Sequence, residues 1–174
     1  MKIFSRSFWL LAPLALVLFS CQEKEGPCGC TYIDTSFRFN VVNDDQVDLL
    51  DPSNPDHLVT RDLVVSFLLD GEKVEVYDSK INHLRSYPKI IEPEPLAGVD
   101  KYMLNVILNS SEDEEIPTTY LEWKDGSADK LEAEFSYSGN SVMIRKLWLN
   151  EDLIWDMQND GEKPIYELVK DFDQ

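Results

Sequence analysis

The sequence predicts an all-β fold, an antiparallel β-sandwich of immunoglobulin-like type, on three observations. Apolar residues recur at every second position along most of the chain after residue 30, the spacing that puts alternate side chains on one face of a strand. Glycine or Asp/Asn clusters punctuate nearly every gap between those runs, as tight turns require. Helical periodicity is almost missing between them, and about seven to nine short strands in that order suit a sandwich or a barrel.

Ile33, Phe37, Phe39 and Val41 alternate with Asp34, Ser36, Arg38 and Asn40, a half-buried first strand. Leu63, Val65, Phe67 and Leu69 form a more apolar strand that stops at Asp70-Gly71, after which Lys73 to Tyr77 alternates again. Asp-Gly between two alternating runs marks a tight hairpin, because both central positions need positive φ. Tyr102, Leu104, Val106 and Leu108 mark one face of the next strand; Thr119, Leu121 and Trp123 mark another, then Leu131, Ala133, Phe135 and Tyr137. Val142, Ile144 and Trp148 follow the Ser138-Gly139-Asn140 turn, and Leu153 to Trp155 closes the set beyond Asn150-Glu151-Asp152. Even spacing from Leu121, Ile144 and Leu153 places Trp123, Trp148 and Trp155 in the core rather than on a sugar-stacking platform.

Three stretches break the period. Asn43 to His57 is an acidic, proline-interrupted connection containing Leu49-Leu50. Pro88 to Val99 holds Pro88, Pro93 and Pro95 and is expected to be irregular, since proline removes ladder donors. After Pro164, the residues Ile165, Leu168, Val169 and Phe172 form either one stripe of a short C-terminal helix or a last edge strand.

The 174 residues carry 16 Lys+Arg against 33 Asp+Glu, a formal charge of −17. Residues 1–20 hold Lys2 and Arg6 and no acid, so their removal would leave −19. Such a charge excludes nucleic acid as a default partner, because binding a polyanion needs cations that displace its counterions. Lys2 and Arg6 precede an apolar run of 12 residues from Phe8 to Phe19, too short for the roughly 20 that cross a bilayer. A basic start, a short apolar stretch and a small residue before a cut compose a secretory signal.

Leu18, Ser20 and Cys21, at −3, −1 and +1, resemble a bacterial lipobox, with Phe19 at −2 bulkier than the usual small residue. The resemblance implies cleavage before Cys21 and a covalent lipid on it, so the expected organisation is a signal peptide over 1–20, a lipidated tether over 21–30 and a single domain over 31–174. Gln22-Glu23-Lys24-Glu25 resembles the acidic export signal that sends lipoproteins of Bacteroidota-type bacteria to the outer face of the outer membrane. Cys28 and Cys30 flank Gly29; in an oxidising compartment they read as a local disulfide staple or an intermolecular link, and two thiols alone make a poor zinc site. Within the domain, Asp48-Leu49-Leu50-Asp51-Pro52, Asp70-Gly71, Thr119-Tyr120-Leu121-Glu122-Trp123, Asn140-Ser141, Lys146 to Asn150 and Leu153-Ile154-Trp155 resemble a layout of small Bacteroidota surface lipoproteins. Those proteins often carry Asn-Gly in the last hairpin, where this chain has Asn150-Glu151. The resemblance implies a β-sandwich of unknown function with no catalytic residues to transfer.

Candidate chemistry is sparse. His57 and His83 are the two histidines, and neither belongs to a metalloprotease helix or a nucleophile elbow. Asp44, Asp45, Asp48 and Asp51 crowd one loop and are the weak calcium candidate, though they lack the order of an EF-hand loop. Glu112 to Glu115 is a run of four acids, read as a solvated face. Ile90, Ile91 and Leu96, in the proline-rich connection, are the candidate binding loop, since binding residues concentrate on loops held by a rigid scaffold. The expected function is a non-enzymatic binding, adhesion or accessory module, lipid-anchored in the outer membrane, with a glycan or an envelope protein as ligand and no cofactor beyond the lipid on Cys21. The alternative is an acidic inhibitor of a cationic enzyme such as a lysozyme, because opposite charge speeds encounter; an exported hydrolase ranks last.

Overall fold

A computed structural model describes residues 31–76, 88–95 and 98–172, within a compact unit that begins at Thr31. The strands are β1 (Ile33–Asp34), β2 (Ser36–Val42), β3 (Leu63–Leu69), β4 (Glu72–Glu75), β5 (Lys89–Ile91), β6 (Met103–Ile107), β7 (Thr118–Trp123), β8 (Ala128–Ser138), β9 (Ser141–Leu149), β10 (Asp152–Asp156) and β11 (Ile165–Val169), with one short helix, α1 (Met157–Asp160), before β11. They form two sheets. The larger runs β1-β9-β8-β7-β3-β4, with β10 also on β9, and the smaller runs β11-β2-β6-β5. The fold is an all-β sandwich, antiparallel except for two edge pairings, β1 with β9 and β11 with β2, which are parallel.

The single alternating run from Ile33 to Val41 is divided between the sheets at Thr35, whose carbonyl accepts from Leu108 N–H at 2.8 Å. Phe37, Phe39 and Val41 then face Leu63, Val65, Leu121, Leu131, Ile144 and Leu147 across the sandwich, all buried in one core. Leu49, Leu50 and Leu58 from the 43–62 connection join that core; Leu49 N–H donates to Val41 O and Leu58 N–H to Leu49 O, so the connection plugs one end of the sandwich.

Asp70 and Gly71 take φ values of 52° and 83°, the doubly left-handed turn expected of Asp-Gly. Asn150 and Glu151 adopt the same conformation, at 49° and 76°, with glutamate in a position that suits glycine.

Two sequence expectations are corrected, and one left open is decided. Trp148 is not a core residue. Glu134 pairs with Lys146 and Phe135 with Ile144, so Arg145 is an extra residue on β9, a bulge that inverts the facing of everything after it. Ile144, Leu147 and Leu149 are therefore buried, and Trp148 turns to the outer face of the large sheet, half-buried beside Leu153 and Glu132. Trp123 and Trp155 are buried as expected. Secondly, part of the proline-rich connection is regular: Lys89–Ile91 is an edge strand on β6, with Pro88 just before it, where a missing donor costs nothing. Of the two readings left open after Pro164, the last edge strand is the one the structure adopts. Ile165 to Val169 pair with Arg38 to Val42, and the open edge of β2 supplies hydrogen bonds that an isolated one-turn helix cannot match.

Candidate functional site

The β7–β8 hairpin shapes a concavity near the outer face of the large sheet. Its turn is closed by Gly126 N–H donating to Trp123 O and Trp123 N–H donating to Ser127 O, both 2.9 Å. Gly126 sits at φ 84°, which an L residue reaches only with strain. Asp125 Oδ1 accepts from Ser127 Oγ at 2.7 Å and from Ser127 N–H at 2.9 Å. The Ser127 hydroxyl and then its amide hold the Asp125 carboxyl below the ordinary carboxylate range.

Beside the turn lies a groove of about 560 Å³, with Arg61, Asp62, Lys73, Glu122, Lys124 and Ala128 on its walls. Arg61 and Asp62 come from a short 3-10 turn, Thr60–Asp62, that leads into β3; Asp62 Oδ2 fixes that turn by accepting from Val59 N–H at 3.0 Å. Lys73 enters from β4, where its Nζ is 2.9 Å from Glu122 Oε1 and 4.0 Å from the Tyr120 ring centre. Lys124 caps the hairpin, 5.1 Å above the Phe172 ring. Lys124 also borders a second recess, of about 260 Å³, with Lys170, Asn54, Asp56, Asp171 and Phe172.

A buried polar node keeps this end rigid. Asp129 Oδ2 accepts from Trp123 Nε1 at 2.8 Å and lies 2.6 Å from Lys170 Nζ, while its Oδ1 accepts from Asn150 Nδ2 at 2.8 Å. Lys170 also stands 5.0 Å from the Trp123 ring centre. One carboxylate thereby ties the β7–β8 hairpin, the β9–β10 turn and the segment after β11 together. Further along the outer face, Lys130 pairs with Glu132 at 2.7 Å and Lys146 with Glu134 at 3.4 Å. The bond to Glu132 raises the Lys130 ammonium above its ordinary pKa.

The residues singled out from the sequence are scattered. Ile90 and Ile91 are paired with Leu104 and Met103 in β5, and Ile90 packs against the core, so they do not form a free loop. Asp48 uses Oδ1 to accept from Leu50 N–H at 2.8 Å and Oδ2 to accept from Tyr102 N–H at 3.2 Å. Asp51 accepts from Ser53 N–H at 2.8 Å, and that amide lowers its pKa. Asp44 and Asp45 are exposed, and no cluster of three metal-ligating side chains occurs among the described residues. His57 Nδ1 is 2.7 Å from Asn54 O. In the acidic run, Glu112, Asp113 and Glu115 are exposed, and the loop is held at its base by Tyr137, whose hydroxyl donates to the carbonyls of Ser110 and Ser111. Burial, and then the Glu112 carboxylate, raise the Tyr137 pKa. Cys21, Cys28, Cys30, His83 and Leu96 lie outside the described residues.

The groove escaped sequence reading because its walls come from three separate places in the chain, 61–64, 73 and 122–128, and only the hairpin turn carries a local signal.

No family model, no curated protein and no solved structure matches the chain.

Proposed function

We propose that this chain is a non-enzymatic binding module of the bacterial envelope, lipid-anchored at Cys21 in the outer membrane and exposed at the surface, that takes a glycan in the groove beside the β7–β8 hairpin. The observation that carries the reading is the groove itself. A guanidinium, two ammonium groups and two carboxylates line one concavity, on a hairpin anchored by a buried network. Sugar hydroxyls both donate and accept, so they are met by mixed polar walls of this kind, with orientation supplied by a few fixed groups. The Tyr120 ring, and Trp148 farther along the outer face, supply apolar surface nearby. The lipobox-like Leu18-Phe19-Ser20-Cys21 and the start of the compact unit ten residues later support a tethered placement.

Screening the mature chain against an oligosaccharide panel tests the ligand class. Ala128→Trp, which fills the groove from an exposed position, is expected to abolish binding without lowering the melting temperature; binding that survives the substitution rejects the groove. Cys21→Ala is expected to free the protein from membranes or to stop its maturation, and unchanged partitioning with normal processing rejects the anchor.

One observation favours a second reading. Ile116 is an exposed apolar side chain next to the acidic run 112–115, an arrangement that suits docking on a cationic enzyme such as a lysozyme. A salt-sensitive complex that is lost on neutralising the run would establish that inhibitor reading instead.

A further inference from the structure

We infer that the groove selects an acidic oligosaccharide, one bearing a carboxylate or sulfate on an internal sugar, and that Arg61 and Lys124 are the residues that recognise the charge; the inference rests on the proposed glycan-binding role of the groove. Among the described residues, Lys73, Lys101, Lys130, Lys146, Lys163 and Lys170 are each in an ion pair with a carboxylate. Arg38, Arg61, Lys89, Lys124 and Arg145 are in none. Two of these unpaired cations, Arg61 and Lys124, line the same groove, in a chain whose formal charge is −17.

Two carboxylates share the groove with the cations. Glu122 pairs with Lys73, and Asp62 accepts from the Val59 amide. Arg61, Lys73 and Lys124 against Asp62 and Glu122 leave one positive charge in excess on the groove walls, 3 − 2 = +1. Arginine adds geometric selectivity, since its planar fork matches the two oxygens of a carboxylate or sulfate.

Lys124 also lines the second recess, so space of about 560 Å³ and about 260 Å³ adjoins this one residue. An anionic group held there has room for chain on both sides, which suits an internal charged sugar better than a terminal one. Asp56 also lines the smaller recess, and its carboxylate can accept from sugar hydroxyls.

The test is calorimetry of the mature chain with uronate-containing and sulfated oligosaccharides and with their carboxyl-reduced or desulfated counterparts, at low and physiological salt. The acidic ligands are expected to bind at least tenfold tighter than the neutral ones, with the ratio falling as salt rises. Arg61→Gln and Lys124→Gln should each cut that ratio severalfold, whereas Lys89→Gln, which removes an unpaired cation outside the groove, should leave it unchanged. Comparing the carboxylated with the sulfated ligand shows which anion is preferred. Equal binding of acidic and neutral ligands, or an equal effect of Lys89→Gln, overturns the charge selectivity and leaves a neutral-glycan module standing. Failure of every oligosaccharide to bind overturns the glycan-binding role and this inference together.

Discussion

Replacing Asp129 by alanine removes a carboxylate that receives three donors, from Trp123, Asn150 and Lys170. The Trp123 N–H is left in a position only 4 % exposed, and the Lys170 side chain, 17 % exposed, keeps an ammonium group without its counter-charge. Breaking a buried ion pair by deleting one member costs about 3–5 kcal/mol, and an orphaned buried donor costs about 1–3 kcal/mol. These overlap rather than add, so we expect a loss of about 4 kcal/mol, a large part of the roughly 5–15 kcal/mol that holds a domain folded. In urea, at a slope of about 2 kcal/mol per molar, the unfolding midpoint should fall by about 2 M. Lys170→Met in the same chain removes the stranded charge and keeps the apolar stem over Trp123. The double variant should therefore be more stable than the two single losses added together, by about 2 kcal/mol in a double-mutant cycle. A loss below about 1 kcal/mol for Asp129→Ala, or strict additivity, would refute the claim that this node holds the end of the sandwich.

Trp155→Ala should cost about 3–5 kcal/mol as a buried aromatic truncation, while Trp148→Ala, on the outer face, should cost under about 2 kcal/mol; equal losses in thermal unfolding would contradict the bulge at Arg145. Glu151→Gly should raise stability by up to about 1 kcal/mol, because it relieves a left-handed conformation at a non-glycine residue; a drop in melting temperature would show that the Glu151 side chain has an unrecognised role. Asp125 and Asp51 have carboxyl pKa values lowered in the folded chain, so they favour folding above the ordinary carboxylate value of about 3.9 and lose that contribution as pH falls through the lowered values. Ser127→Ala should move the Asp125 midpoint in an NMR titration up toward the ordinary value, and an unmoved midpoint would remove the hydroxyl as the main cause.

Most of the fold is written in the alternation of apolar residues. Phe37, Phe39, Val65, Leu121, Leu131 and Ile144 are buried as an inner face requires, and Asp70-Gly71 turns as its chemistry demands. The failures share one physical origin, namely that a period of two says nothing about where the period slips or which edge a strand will find. Ile144 and Leu147 are three apart, and that odd step records the bulge; taking Trp148 as the next inward residue hides it. The stripe Ile165, Leu168, Val169 and Phe172 fits a helix turn, yet Tyr166 and Leu168 on alternate positions also fit a strand, and only the open edge of β2 decides between them. The groove was less legible still. Arg61, Lys73, Glu122 and Lys124 meet because β3 lies between β4 and β7 in the large sheet, a neighbourhood that no local motif announces.

The most direct test of the tethered glycan-binding account is an amide chemical-shift map of the domain titrated with a bound oligosaccharide. The account predicts that the perturbed amides cluster at Arg61, Val64, Lys73, Lys124 and Gly126, with the sugar recovered intact. Perturbations centred on residues 112–116 would transfer the site to the acidic loop, and cleavage of the sugar during the titration would contradict a non-enzymatic module.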